Sequence, residues 1–581
     1  MDGGSHRLTR PCGRVLGRAA LRIVPPSLRH PAEEGTVPFS AAWAVLAAVP
    51  LTFLAVFFVW PVASLVARGF TDQAGFSLAG VNEVLAAPRT WRIVGQTLLQ
   101  AVLGTAISVL LGIPAAHLLY RARFPGRRLL RAVVAVPFVL PTVVVGVAFR
   151  SLLAGQGPLG GLGLEESLAA IVAALVFFNY SVVVRTVGAL WAQLDPRTGE
   201  AARSLGASRW RVWWTITWPA LAPAVASAAA LVFLFCASAF GVVLVLGGNG
   251  WGTVETEIWY QTTQLLDLRA AAALSILQLV IVVASLLVAN HTRARQERAL
   301  QLSGTPAEHG FGAADLPAAL VTAVVVLGLL VAPLVTLLVR SLQTADGYGL
   351  ANYLSLATTA EAGFSTGAWA ALGNSLSTAA VATLIAVGLG AIVSFLLSRR
   401  PASAAGRTVL AAADAAFMLP LGVSAVTVGF GFLITLTAPP LNLLGSWLLV
   451  PLAQAVVALP LVVRSLLPTL RAIDPRLQQA AATLGAGPTR VLATIDLPLA
   501  WRGVGLAVGF AFATSLGEFG ATSFLARPDR PTLPVMIFRL IGRPGAENLG
   551  TALAASVVLA LITGAVMGLA EWIGPRKGQP W

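Results

Sequence analysis

A chain of 581 residues with 57% hydrophobic and 11% charged residues lacks the polar surface that a soluble fold of this size requires. Its net charge of +15 would suggest nucleic acid in a soluble protein, but the arginines sit between long apolar runs, as topology signals on cytoplasmic loops do, so no nucleic-acid partner is expected. Cys12 and Cys236 are far apart and in different settings, which outlines neither a disulfide framework nor a metal cluster.

In chain order, residues 1–40 form a basic tail. Residues 1–37 hold six arginines and three acids, and Arg14, Arg18 and Arg22 would share one helix face, suited to an anionic leaflet; an unstructured tail is the other reading. The apolar run from Ala41 to Val66 is too long for a signal peptide. A first half, 41–290, follows, with spans near 42–67, 93–119, 129–153, 168–190, 220–246 and 270–290. A cytoplasmic linker, 291–314, leads to a second half, 315–572, with spans near 315–339, 371–398, 408–435, 445–467, 500–525 and 547–572, and 573–581 is a cytoplasmic tail. Each run reaches the roughly 20 apolar residues that a helix needs to cross the bilayer, and helices satisfy their own backbone where lipid cannot. The expected fold is an all-α polytopic membrane protein of about twelve helices. Pro114, Pro137 and Pro141 are expected to kink spans.

Basic residues alternate with the spans. The tail, the Arg121–Arg131 loop, the Trp191–Trp218 loop and the His291–Arg298 segment are basic, as are Arg399, Arg400, Arg407, Arg471, Arg476, Arg490, Arg576 and Lys577. This places both termini in the cytoplasm. Arg527, Arg530, Arg539 and Arg543 depart from the rule on the outer side. The halves also repeat. The stretch from Gly95 matches that from Gly373 at an offset of 278, and after one extra residue the offset is 279, pairing Leu140-Pro141 with Leu419-Pro420, Arg185 with Arg464, and Phe240-Gly241 with Phe519-Gly520. Two parallel six-span repeats imply a pseudo-two-fold axis along the membrane normal, with the substrate path along it.

The most informative segments lie between the fourth and fifth spans and between the tenth and eleventh: LDPRTGEAARSLGASRWRVWWTITWP from Leu194, and IDPRLQQAAATLGAGPTRVLATIDLP from Ile473. Asp195-Pro196 and Asp474-Pro475 are good helix starts. Ala201-Ala202 and Ala480-Ala481 let another surface approach closely, and Gly206 and Gly485 can turn the backbone where other residues would strain. Each segment reads as a short cytoplasmic helix rigidly joined to two spans, so that a push on it moves them as a body.

At these residues the chain resembles the permease family of binding-protein-dependent ABC importers. The family's cytoplasmic signature matches Glu200, Ala201, Ala202, Gly206, Ile216 and Pro219, with Trp218 where Leu is usual, and again Gln479, Ala480, Ala481, Gly485, Ile495 and Pro498, with Gln replacing Glu. The resemblance covers nearly all of the chain after residue 40. It implies a type I importer permease whose two loops seat in grooves of two copies of a cytoplasmic ABC ATPase, with an extracytoplasmic substrate-binding protein and membrane lipid as further partners. The phosphate-binding loop pattern needs Gly-Lys-Ser/Thr, and the chain's only lysine is Lys577. This chain is therefore expected to be a transport subunit with no bound cofactor, ATP and Mg residing on the partner.

The stretches Tyr120–Leu130, Val176–Arg185, Ala237–Gln261 and Ser515–Gly542 look like the fused permeases of thiamine and ferric-iron importers, closer to the thiamine branch, with ferric iron as the alternative. A cationic aromatic substrate would favour acids and aromatic faces. Glu518, Glu255, Glu257, Trp259, Tyr260 and Asn179 are the candidates along the path, set against plainer roles: a helix-end carboxylate facing water or capping a neighbour for Glu518, a solvated loop face for Glu255–Tyr260 and an interhelical bond for Asn179. Snorkelling to the interface accounts for Arg185 and Arg464. A proton-coupled secondary transporter would share the two-half plan but does not explain the paired loops; Glu518 and Asp414 are its only suggestive acids. An intramembrane enzyme finds no support in His6, His30, His117, His291 and His309: only His117 lies in a span, and no metal-ligand spacing accompanies it.

Overall fold

The computed structural model describes residues 41–72, 75–248, 250–296, 308–345, 347–359, 366–398 and 403–573. The tail arginines and Cys12, residues 297–307 of the 291–314 linker, Arg399, Arg400, Arg576 and Lys577 lie outside them.

Among the described residues, ten helices are long and apolar enough to cross a membrane, and two bent pairs bring the number to twelve. Three two-residue strand pairs are the only sheet present in them. The first-half spans are Val45–Gly69, Pro88–Arg121, the pair Arg127–Phe138 with Thr142–Leu153 bent by 104°, Leu168–Gln193, Arg209–Ala237 and Leu268–Leu287. Those of the second half are Ala313–Ser341, Ala368–Ser398, Ala404–Gly422, Leu449–Arg471, the pair Thr489–Trp501 with Gly503–Gly517 bent by 62°, and Ala546–Trp572.

Prolines shape several of them. Pro137 and Pro141 lie at the break of the third span, whereas Pro114 sits inside the uninterrupted Pro88–Arg121 helix. Four widened π turns, Ala55–Val59, Trp213–Thr217, Val325–Val331 and Leu492–Asp496, each end two residues before a proline: Pro61, Pro219, Pro333 and Pro498. A proline ring clashes with the carbonyl four residues earlier, and an inserted residue relieves the clash by widening the turn.

Packing within the halves repeats. In the second and fourth spans, a Cβ on Gly112 would come 2.6 Å from Val183. At the equivalent place in the eighth and tenth spans, Gly390 lies equally hard against Val462. Glycine at these crossings lets the backbones approach where lipid supplies no hydrophobic drive between helices.

The first span of each half packs on the other half. Trp60–Gly69 lies on Ala425–Thr435 and Ala41–Leu54 on Ala368–Ser398, while Ala332–Ser341 lies on Thr142–Leu153 and Leu316–Val324 on Pro88–Arg121. The two halves are thereby strapped together. The repeat extends to these elements at an offset of 272: the hairpin Thr71–Asp72 with Gly75–Phe76 corresponds to Gln343–Thr344 with Gly347–Tyr348, and helix Ala79–Ala86 to Ala351–Thr358.

Two predicted spans end early. The fifth stops at Ala237 and the eleventh at Gly517, and each is followed by a break and a short helix, Gly241–Leu246 and Thr522–Leu525. At the second break the Glu518 carboxylate accepts the N–H groups of Ala521 at 2.7 Å and Thr522 at 3.0 Å, which starts the new helix as an N-cap does. The apolar run continues through the break, so periodicity conceals it.

Candidate functional site

At one end of the bundle lie the paired loops. Asp195 Oδ1 accepts the Arg197 N–H and Asp474 Oδ1 the Arg476 N–H, both at 2.9 Å, so each aspartate caps a helix whose first residue is proline: Pro196–Ser204 and Pro475–Thr483. Both helices end identically. Gly206 (φ +86°) donates to Arg203 O and Ala207 to Ala202 O; Gly485 (φ +84°) donates to Ala482 O and Ala486 to Ala481 O. This is the glycine-dependent Schellman ending.

The turn projects one residue outward. Leu205 and Leu484, immediately before the glycines, are 88% and 89% exposed. Glu200, Ala201, Gln479 and Ala480 are exposed beside them, with Ala202 and Ala481 half-buried. Ile216 and Ile495 fall in the π turns leading to the exposed Pro219 and Pro498. Each loop is tied down behind its exposed face: Gln478 Nε2 donates to Asp496 Oδ1 at 2.6 Å, and Arg121 Nη1 reaches the carbonyls of Trp191 and Leu194, both at 3.3 Å. Leu205 and Leu484 stand on rigid protrusions with Trp210 and Leu477 also exposed nearby, an arrangement suited to insertion into another protein's groove.

At mid-bundle the breaks of the third, fifth, ninth and eleventh spans meet. A Cβ on Gly241 would come 2.5 Å from Thr142 Oγ1, one on Gly517 3.1 Å from Pro141, and one on Gly520 3.0 Å from Ala425. Phe240 and Phe519, equivalent in the repeat, stack with centroids 5.5 Å apart and planes 19° apart. Both are buried, so the axis between the halves is sealed there.

The remaining candidates distribute around this seal. Glu255 is 0% exposed; its Oε1 accepts from Gln278 Nε2 at 2.8 Å and its Oε2 from the Ser424 hydroxyl of the other half at 2.6 Å. Glu518, besides its backbone bonds, accepts from the Thr522 hydroxyl. Both acids flank the start of helix Ala425–Thr435. Glu257 is paired with Arg89 at 3.0 Å and accepts from Gln261 at 2.9 Å, and the Arg89 guanidinium lies over the Tyr260 ring at 5.6 Å. Trp259 meets Phe538 edge-on. Asn179 donates to Leu175 O and Cys236 Sγ within the first half. Sequence reasoning missed Ser424 and Gln278, whose types carry no signal, and Leu205 and Leu484, which stood in plain view before the matched glycines.

Residues 108–297 match the family described as "binding-protein-dependent transport system inner membrane component". The chain is 28% identical over 504 residues to the thiamine transport system permease protein ThiP of Brucella abortus (strain 2308), covering 83% of this chain and 87% of that one. It is 28% identical over 474 residues to the ThiP of Escherichia coli (strain K12), covering 78% and 84%. To the sulfate transport system permease protein CysT of the same organism it is 33% identical over 246 residues, covering 41% of this chain and 86% of that one. The chain belongs to the binding-protein-dependent transport permeases: it is a fused, two-half permease subunit of an ABC importer, a multi-pass inner-membrane protein. ATP hydrolysis belongs to a separate subunit. The secondary-transporter and intramembrane-enzyme readings fall with this membership.

Proposed function

We propose that the chain carries thiamine inward, delivered by an extracytoplasmic binding protein and driven by two copies of a cytoplasmic ABC ATPase docked on the paired loops. The chain itself binds no nucleotide: ATP and Mg reside on the ATPase. Both termini are cytoplasmic. The observation that carries the ATPase docking is the matched pair Leu205 and Leu484, each held out by an aspartate-capped helix and a positive-φ glycine. A closing ATPase dimer pulls the loops together; the spans rigidly attached to them move, and the Phe240–Phe519 stack parts.

For the substrate, the support is the thiamine-permease name of relatives that align over both halves. Glu255 and Glu518 beside the seal suit a cation. A second reading, sulfate, has in its favour the CysT relative, which aligns over less than half of this chain. The test is uptake into proteoliposomes containing this chain, its ATPase and its binding protein. Uptake of labelled thiamine that requires ATP, with sulfate and ferric ion left outside, is the expected result. Uptake of sulfate or ferric ion instead would overturn the thiamine assignment.

A further inference from the structure

Where the second half begins, three side chains from separate parts of the chain close on one point. His117 lies near the end of the second span, His309 in the strand His309–Gly310 and Asp315 in the first turn of the seventh span. Asp315 is 2% exposed, and its Oδ1 faces both imidazole Nε2 atoms, that of His117 at 2.9 Å and that of His309 at 3.1 Å. Its Oδ2 lies 3.2 Å from His309 Nε2 and accepts the Gly312 N–H at 3.0 Å. The three ligand atoms lie within 4.8 Å of one another.

The cluster is held by its surroundings. Strand Ala122–Arg123 pairs in parallel with His309–Gly310. Arg123 Nε and Arg127 Nη2 hold Glu308 at 2.8 and 3.0 Å, and Phe124 meets Phe311 edge-on. The His117 ring leans on Trp191, centroids 5.1 Å apart. His117 and His309 are thus positioned by contacts independent of Asp315.

We propose that His117, His309 and Asp315 form a site for one divalent transition-metal ion of the zinc type, fastening the start of the second half to the end of the second span. Two imidazoles and one carboxylate are ligands that zinc accepts, with a fourth position open to water. Bonds of about 2.0 Å in a tetrahedral site put neighbouring ligand atoms roughly 3.3 Å apart; Asp315 Oδ1 lies 2.9 and 3.1 Å from the two Nε2 atoms, and the ligand atoms of the two rings lie within 4.8 Å of each other. The ion binds the Nε2 lone pair of each ring in its neutral Nδ1–H tautomer; a ring that carries its single proton on Nε2 beforehand releases it to solvent and takes one up on Nδ1. The Gly312 N–H on Oδ2 and the Trp191 ring keep the ligands oriented, as outer-shell groups do. Solvent reaches the site past His309 and His117, whose side chains are 43% and 28% exposed.

The test uses the full chain, purified through a tag free of histidine, stripped with chelator and titrated with Co²⁺ and then Zn²⁺. One Co²⁺ per chain, with the visible absorption of a four-coordinate ion that Zn²⁺ abolishes, is expected. His309→Ala removes a partly exposed side chain, so it preserves the fold and weakens uptake by about 100-fold or more, at least the loss seen when an outer-shell partner is removed. A wild-type chain that gives no cobalt spectrum, or a His309→Ala chain whose spectrum and affinity are unchanged, overturns the site and leaves two histidines hydrogen-bonded to a carboxylate.

Discussion

Leu205 and Leu484 are the side chains on which the proposed ATPase docking turns. Burying one leucine contributes about 1.5–3 kcal/mol, and each 1.4 kcal/mol is tenfold in affinity. Leu205→Ser or Leu484→Ser should therefore weaken ATPase binding by about tenfold or more, measured by pull-down or calorimetry, while thermal unfolding of the isolated permease stays unchanged because both side chains are already exposed. Gly206 and Gly485 behave differently. Their φ values of +86° and +84° cost a residue with a side chain about 1–2 kcal/mol, although a Cβ at either would meet open space. Gly206→Val should thus misdirect Leu205 through the backbone alone, lowering transport while the membrane domain remains folded. A Gly206→Val, Gly485→Val chain with full ATP-driven uptake would count against this. The aspartate caps and the glycines were legible because local chemistry fixes them: an Asp-Pro start and a Gly end specify a short helix whatever surrounds it. Glu255 was visible only as an acid just after an outer loop, with a solvated loop face as its plainer role, whereas it is fully buried. Its partners, Ser424 and Gln278, come from distant parts of the chain that no spacing connects.

At the scale of helices, the crossings depend on glycine. Gly112 faces Val183 and Gly390 faces Val462 at corresponding places in the two halves. Gly112→Leu or Gly390→Leu should destabilise the fold by about 1–3 kcal/mol each through overpacking, visible as a lowered midpoint of thermal unfolding in detergent. The two sites are in different halves and share no partner, so their effects should add. Apolar runs and proline placement made the spans readable. The breaks after Ala237 and Gly517 were not readable, because they occur within continuous apolar sequence and are made by tertiary contacts: Gly517 on Pro141, Gly520 on Ala425 and the Glu518 cap. The hairpin and short helix after the first and seventh spans had a signal in Gly75-Phe76-Ser77-Leu78 against Gly347-Tyr348-Gly349-Leu350, too short to stand out beside the long runs.

For the whole molecule, the two-half plan followed from the repeat, but the exchange of first spans did not. Hydropathy reports that Val45–Gly69 and Ala313–Ser341 cross the membrane, not which half receives them. That exchange ties the halves together, so motion imposed on one loop is passed to both sides of the Phe240–Phe519 seal. In the proposed mechanism each loop receives one ATPase. The most direct measurement is the mass of the complex purified gently from native membranes through a tag on this chain, compared with that of a Leu205→Ser, Leu484→Ser chain. Two ATPase copies on the unaltered chain and none or few on the variant are predicted. An unaltered chain that carries no ATPase, or a variant that retains both copies, would contradict it.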